Sequence, residues 1–416
     1  MKFHQYPIAT ELKERLAELG LIKPTDIQFK AIPHILGGED VLGIAQTGTG
    51  KTAAFVIPIL NLIQNERAAN IQSGIRCLVM VPTRELAQQI AEEFQSIGKY
   101  LKIKTLALHG GVEQKGQIKD LQANVDILVT TPGRMFDLKS QGFINFRDVK
   151  CLILDEADHM LALGFLKDIQ DVIRSLPKQR QTLFFSATIN EKIKKLAYSI
   201  VSRPIRIQIS PKDPISKKVE HSVVFVEMDD KRFYLERIIN ENPKSKVIVF
   251  VRTKVRAERV LKAMERVGIR AVTIHGDKDQ DERTRAINDF KEGDERILIA
   301  TDVSARGIDV KQVELVINYD LPDDPENYVH RIGRTGRGEH RGNAISFCST
   351  EEKPLLEAIQ EFITKEIHVL TVKKSDHKET LELAGDKVED WQTVMKKIEA
   401  LDEEIKAKKR TKKKKK

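Results

Sequence analysis

Asp155 and Glu156 stand directly behind the apolar run Cys151–Leu154, where a buried strand would end. A carboxylate pair at that place suits phosphoryl chemistry. Asp155 can hold the water shell of a Mg²⁺ ion, and Glu156 can orient an attacking water. The complementary half lies upstream, where the short strand Asp40–Ala45 runs into Gln46-Thr47-Gly48-Thr49-Gly50-Lys51-Thr52 and an apolar helical start. Glycines at such a turn let backbone N–H groups wrap phosphates at a helix N-terminus. Lys51 would reach the β- and γ-phosphates, and the Thr52 hydroxyl would sit on Mg²⁺. The first position of the loop is Ala45, where the general signature has Gly. Either half alone is weak, because glycine-rich loops are often ordinary turns and Asp-Glu pairs are often solvated. Both in the expected order, each behind a strand, point to a nucleotide hydrolase.

Positioning these groups requires strands that alternate with helices, as in a parallel α/β sheet. The sequence predicts strands at Val41–Ala45, Cys77–Val81, Thr105–Leu108, Ile127–Thr130, Cys151–Leu154 and Thr182–Phe185, with helices such as Arg84–Lys99 and Gly164–Ser175 between them. The pattern breaks around residues 204–218, where three prolines and several charges suggest an interdomain linker. A second run follows at Val223–Val226, Val247–Val251, Ala271–Ile274, Ile297–Ala300, Leu315–Asn318 and Gly342–Cys348. The expected division is a first module at 1–205, a linker at 206–218, a second module at 219–370, and a helical segment with a basic tail at 371–416. The second module has no Gly-Lys-Thr loop, but it carries His330-Arg331-Ile332-Gly333-Arg334-Thr335-Gly336-Arg337-Gly338. A phosphate loop in one module and an arginine cluster in the other predict a composite site, with arginines closing over the leaving phosphates.

Composition limits the alternatives. A chain of 416 residues, 41% hydrophobic and 31% charged, fits a water-soluble protein of two to three domains. No apolar run approaches the roughly 20 residues of a membrane span. The start, MKFHQYPIATELKERL, lacks the apolar segment of a signal peptide, so a cytoplasmic setting is expected. Cys77, Cys151 and Cys348 lie far apart in strand-like runs and read as buried thiols, neither disulfide partners nor metal ligands. Residues 406–416 carry nine Lys or Arg and no acid, equal to the whole formal excess of +9. Such a disordered cationic tail suits phosphate polymers. Before it, Trp391, Val394, Ile398, Leu401 and Ile405 form a stripe of barely two heptads, suited to packing on a neighbour or to a weak dimer contact.

Over roughly residues 1–370 the chain resembles the DEAD-box RNA helicases, which are named for the tetrad Asp155-Glu156-Ala157-Asp158. Gly20 to Gln28 looks like the family's Q motif, with Phe3 at the upstream aromatic position. Then come Ala45–Thr52, Pro82-Thr83-Arg84-Glu85-Leu86-Ala87, Gly110-Gly111, Thr131-Pro132-Gly133-Arg134 and Ser186-Ala187-Thr188. The second module supplies Val249 to Thr253, His275-Gly276 with Gln280 and Arg283, and Ala300-Thr301-Asp302 running to Arg306-Gly307-Ile308-Asp309. The arginine segment completes the set.

The resemblance implies two tandem RecA-like domains, each a parallel sheet flanked by helices, followed by the short helical and basic tail. It also implies ATP and Mg²⁺ as ligands. ATP contacts would come from Phe3, Thr25, Gln28, Thr47, Gly48, Thr49, Gly50, Lys51, Thr52, Gly307 and Asp309, with Gln28 on the adenine edge and Asp309 on the ribose. The catalytic set would be Lys51, Asp155, Glu156, Arg334 and Arg337. Thr52 and Asp155 would hold the metal, largely through water. Leu21 stands where the family has an aromatic on the base, which implies weaker stacking. Asp158, Ser186, Thr188 and His330 would couple the site to closure. RNA would meet Arg84, Gly111, Thr131, Gly133 and Arg134 on one module, and Arg252, Gly276, Thr301 and Asp302 on the other.

With 6% aromatic residues, the core is expected to read the nucleic-acid backbone and 2′-hydroxyls more than bases. The implied activity is ATP-dependent, local and non-processive separation of short RNA duplexes, or remodelling of RNA–protein complexes, by a monomer that could also meet ribosomal particles. An RNA clamp with little unwinding shares every motif and remains the alternative. A DNA translocase is disfavoured by the Q motif and the tetrad. A P-loop transporter or kinase leaves the second module unexplained.

Overall fold

The computed structural model describes residues 1–45, 48–68, 74–209, 215–216, 218–305, 310, 312–336 and 341–370. Thr47, Gly307, Asp309 and Arg337 of the expected site lie outside these residues, as do the stripe from Trp391 to Ile405 and the basic tail.

Two seven-stranded sheets, parallel in every pairing, carry the fold. The first contains β1 (Val41–Ala45), β2 (Cys77–Met80), β3 (Thr105–Leu108), β4 (Ile127–Thr130), β5 (Cys151–Leu154), β6 (Gln181–Ser186) and β7 (Ile205–Ile209). The second contains β8 (Val219–Phe225), β9 (Val247–Val251), β10 (Val272–Ile274), β11 (Ile297–Thr301), β12 (Leu315–Asn318), β13 (Gly342–Cys348) and β14 (His368–Val369). Their spatial orders are β3-β4-β2-β5-β6-β1-β7 and β10-β11-β9-β12-β13-β8-β14. Counted within each module, the two orders are the same. The chain therefore contains one architecture twice, with the loops after β1, β2, β5 and β6 having counterparts after β8, β9, β12 and β13.

The central strands are apolar because both faces of each sheet are covered by helices. Val41 and Ala45 of β1 enter one core while Leu42 and Ile44 enter another, and Cys77 and Val79 of β2 divide from Leu78 and Met80 in the same way. Gly43 is required at the middle of β1, since a Cβ there would lie 2.6 Å from the Phe185 ring of β6. The three cysteines are buried and free.

The linker expected from residue 206 is corrected at its start. Ile205–Ile209 is a strand, and Val41 to Ala45 pair with it residue by residue. Its residues alternate between inward and outward positions, and the intervening Arg206 and Gln208 hide the pattern of a buried strand. Similarly, β8 begins at Val219 rather than Val223, because Glu220 and His221 interrupt its apolar pattern.

Candidate functional site

The phosphate loop follows β1. Gly48 and Gly50 have φ of +82° and +88°, a region open to glycine but strained for other L-residues. The next helix, Lys51–Ala68, begins on the lysine itself, so its first N–H groups open toward the loop. Lys51 is buried, and its Nζ has no hydrogen-bond partner among the described residues. A buried ammonium in that state is costly unless an anion completes it, and a phosphate fits.

Gln28 braces this loop. Its Nε2 donates to Gly50 O at 3.0 Å, and its Oε1 accepts from Thr25 N at 2.9 Å. Thr25 and Gln28 together form the capping box of helix Asp26–Leu36. An amide has two donor hydrogens and two acceptor lone pairs, so one of each remains for an adenine edge. Phe3 is packed in the core beside Tyr6, with ring centroids 6.0 Å apart. Leu21 is half-buried against the same core.

The two acids after β5 differ sharply. Asp155 accepts the Glu156 N–H at 2.9 Å. Burial raises its pKa to about 6, with Lys51 pulling it down and Glu156 pushing it further up. Burial would raise Glu156 as well, but His159, Lys51 and Arg334 together hold it at about 2. The His159 Nδ1 lies 3.5 Å from a Glu156 carboxylate oxygen. Glu156 itself sits at φ +51°, ψ +47°, a left-handed conformation uncommon for a residue with a side chain. Arg334 comes from the second module, so the electrostatics of Glu156 depend on both modules.

Asp158 ties the acid loop to the segment after β6. One carboxylate oxygen accepts from Ala187 N at 3.0 Å, Thr188 N at 3.0 Å and Thr188 Oγ1 at 3.2 Å. The Ser186 hydroxyl is buried without a hydrogen-bond partner among the described residues. Thr188 Oγ1 also donates to Glu326 Oε2 at 3.4 Å, across the modules. His330 lies one turn from Glu326 on helix Pro325–Ile332.

The expected RNA residues gather at loops facing the same side of the first sheet. The Arg84 guanidinium lies against Gly110 and Gly111, where a Cβ on Gly111 would collide with it. Arg134 donates to Gln117 Oε1 at 2.7 Å and to Val112 O at 3.1 Å. Thr131 precedes helix Pro132–Ser140 without spending its hydroxyl on a cap, and nothing lies within 4 Å of a Cβ on Gly133. Gly276 in the second module is similarly open. Thr301 donates to Ser304 Oγ at 3.3 Å.

Asp302, expected to meet RNA from its loop, has its carboxylate engaged within the second module. It forms a two-pronged pair with the buried Arg331, at 2.5 and 2.7 Å. Sequence reasoning counted Arg331 in the arginine cluster over the phosphates, whereas it is buried on Asp302; no role was assigned to Glu85 or Gln117. Arg283, whose spacing from Gln280 was the only signal, reaches Glu85 at 2.5 Å, and Gln280 accepts from Arg84 at 3.3 Å.

Comparison with known proteins agrees with this geometry. A DEAD/DEAH box helicase family model matches residues 25–196, and a helicase conserved C-terminal domain model matches residues 230–339. The chain is 40% identical over 365 residues to the DEAD-box ATP-dependent RNA helicase CshA of Streptococcus pneumoniae, covering 88% of this chain and 69% of that protein. It is also 40% identical over 372 residues to the ATP-dependent RNA helicase RhlB of a Shewanella species, covering 88% and 85%. Among solved structures it is similar to S. cerevisiae Dbp5 bound to RNA and ADP BeF3, with a TM-score of 0.81 and 32% identity over 91% of this chain and 98% of that one.

Proposed function

This chain belongs to the DEAD-box helicase family, and from that premise we propose that it is an RNA-dependent ATPase that separates short stretches of RNA duplex. The observation that carries the reading is a phosphate loop whose buried lysine lacks a hydrogen-bond partner among the described residues, beside Glu156, whose charge is favoured by Arg334 of the other module.

The residues divide the chemistry between them. The loop from Gly48 to Thr52 holds the phosphates through backbone N–H groups, and the Lys51 ammonium supplies positive charge to them. Thr52 and Asp155 would hold Mg²⁺, largely through water, which when bound neutralises charge on the phosphate oxygens. Glu156, ionised across the physiological range, accepts a hydrogen bond from the attacking water and fixes its direction. Its low pKa makes it an orienting group more than a strong base. Arg334, and in this proposal Arg337, stabilise charge on the leaving phosphates. Gln28 joins base recognition to loop position, because one amide serves both.

Closure links this site to RNA. Asp158 connects the acid loop to Thr188, and Thr188 reaches Glu326 of the second module, so hydrolysis geometry and module approach depend on each other. Arg84, Gly111, Thr131, Gly133 and Arg134 would hold phosphates on one side, with Arg252, Gly276 and Thr301 on the other. Asp302 would act there through its backbone, since its side chain belongs to Arg331. If a base-pair step is worth about 1.4 kcal/mol, as in DNA stacking, a single closure opens only a handful of pairs. Local melting follows from that magnitude. The preferred partner is RNA, with a monomeric enzyme in the cytoplasm and the basic tail as a tether to structured RNA.

The test is ATP turnover with single-stranded RNA, with DNA, and with neither, on wild type and Glu156→Gln. RNA-specific stimulation that the variant abolishes supports the proposal. Equal stimulation by DNA, or none by either polymer, would overturn it.

A further inference from the structure

The second module has a lysine, Lys231, where the first has Lys51, and pairs it with its own carboxylates. Sheet register makes the two places comparable. Leu42 and Leu154 both pair with Phe184, as Val223 and Asn318 both pair with Ser346. In that register Ala45 corresponds to Val226, and Lys51 and Lys231 each open the helix that follows their strand, Lys51–Ala68 and Lys231–Glu241. The two lysines differ in state. Lys51 Nζ has no hydrogen-bond partner among the described residues, whereas the fully buried Lys231 has its Nζ 2.5 Å from Glu352 and 3.7 Å from Asp320. A lysine neutralised from within has little charge left for a phosphate.

Arg252 is built onto this centre. Its backbone N–H donates to Asp320 Oδ2 at 3.1 Å and its Nη2 to Glu352 Oε1 at 3.4 Å, while its Nη1 donates to Asp323 Oδ1 at 3.2 Å. These acceptors are not alike. Glu352 and Asp320 are each 1% exposed, whereas the Asp323 side chain is 78% exposed. Glu352 also accepts from Leu321 N, Ser349 N and Ser349 Oγ, which fixes it in place. An ion pair in water is weak, and a phosphate offers a guanidinium a two-pronged, charge-assisted contact.

We infer that Glu352 is a fixed anchor that aims Arg252, and that Asp323 is an exchangeable carboxylate that occupies the guanidinium until an RNA phosphate displaces it. This rests on the reading of Arg252 as an RNA ligand. Asp323 is thereby an internal competitor, setting how tightly the second module holds RNA and how readily it lets go. Glu352 is a positioning residue, acting on RNA only through Arg252.

The experiment measures the affinity of a short single-stranded RNA for the full chain with a non-hydrolysable ATP analogue, at low ionic strength. Wild type, Asp323→Asn, Arg252→Gln and the double variant form a cycle. Asp323→Asn is expected to bind about two- to fivefold tighter, and the gain should vanish when Arg252 is already Gln. A gain that persists in the double variant marks a long-range charge effect and overturns the inference, as does no gain at all. Arg252→Gln binding as tightly as wild type would overturn the underlying reading of Arg252, a separable result. Glu352→Gln should raise the RNA concentration for half-maximal ATPase stimulation while kcat at saturating RNA holds. A fall in kcat alone would refute the positioning role, and if that variant does not fold, the Asp323 cycle still decides the exchange.

Discussion

Arg283 of the second module and Glu85 of the first form an ion pair of 2.5 Å, with side chains only 12% and 8% exposed. Glu85 follows Arg84 at the start of helix Arg84–Ile97, which Thr83 caps by accepting from Leu86 N. Arg283 lies on helix Gln280–Glu292, whose first residue meets Arg84. Arg84 therefore works among cations: burial, then Arg283, lower its pKa, while Glu85 opposes them. The pair thus joins the modules beside the proposed RNA face and offsets repulsion between Arg84 and Arg283.

Breaking this contact should impair closure specifically. Arg283→Glu leaves two carboxylates facing each other in a nearly buried place, and removing one partner of such a pair is typically worth about 3–5 kcal/mol. RNA-stimulated ATP turnover is expected to drop at least tenfold, with unstimulated nucleotide binding retained. Adding Glu85→Arg should recover part of the loss. Turnover that is unaffected by the single reversal would remove the pair from the closure mechanism.

Nucleotide affinity should carry an acidic limb set by Asp155. Its ionised form is the one that would hold the water shell of a cation, and without a cation, burial places its pKa at about 6. Affinity for the magnesium–nucleotide complex is thus expected to fall as pH drops through that value. Glu156 raises Asp155 through its negative charge, so Glu156→Gln should shift the limb to lower pH. Binding of a non-hydrolysable analogue, followed by calorimetry across pH, reads this directly, and a shift in the opposite direction would contradict the electrostatic account.

The same carboxylate burdens the empty fold. Asp155 has a folded-state value raised above the ordinary one, so its ionised form opposes folding above about pH 6. That opposition fades as pH falls from about 6 toward the unfolded value near 4. Asp155→Asn is therefore expected to stabilise the ligand-free protein by roughly 2 kcal/mol at neutral pH, with little gain below pH 4, while losing magnesium–nucleotide binding. Urea unfolding of both proteins at two pH values would show it. A variant less stable than wild type at neutral pH would mean that the charge is needed structurally.

Gln28 and Gly50 should fail in related ways. A Cβ on Gly50 would lie 2.5 Å from Gln28 Nε2, in a backbone region with φ of +88°, so Gly50→Ala distorts the loop and its brace together. Gln28→Ala removes the donor to Gly50 O without steric conflict. We expect Gln28→Ala to weaken ATP binding and also the binding of inorganic triphosphate, which has no base to recognise. Weaker ATP binding with unchanged triphosphate binding would confine Gln28 to reading adenine.

Much of this molecule is legible one element at a time. Val41–Ala45, Cys151–Leu154, Val247–Val251 and Leu315–Asn318 are strands with the bounds their apolar runs predict, because a strand covered on both faces needs continuous burial. The edge strand β7 escaped that reading, since half of it faces outward and only alternation marks it. The loop of Gly48 to Thr52 and the acids after β5 were equally plain, because phosphate binding imposes local backbone requirements on consecutive residues.

Sequence by itself therefore determined the fold class, the family and the local parts of the nucleotide site. Tertiary structure alone decided the partners of the charges. Arg334 beside Glu156, Arg283 beside Glu85, and Arg331 clasping Asp302 join residues that no local pattern relates. Lys231 opens the helix after β8 as Lys51 opens the helix after β1, yet it is paired with Glu352 and Asp320, which lie beyond the ends of β13 and β12. Backbone chemistry acts over a few residues and leaves a written pattern. Electrostatic partnership depends on distance in space, which exists only once the sheets have formed and the modules have met.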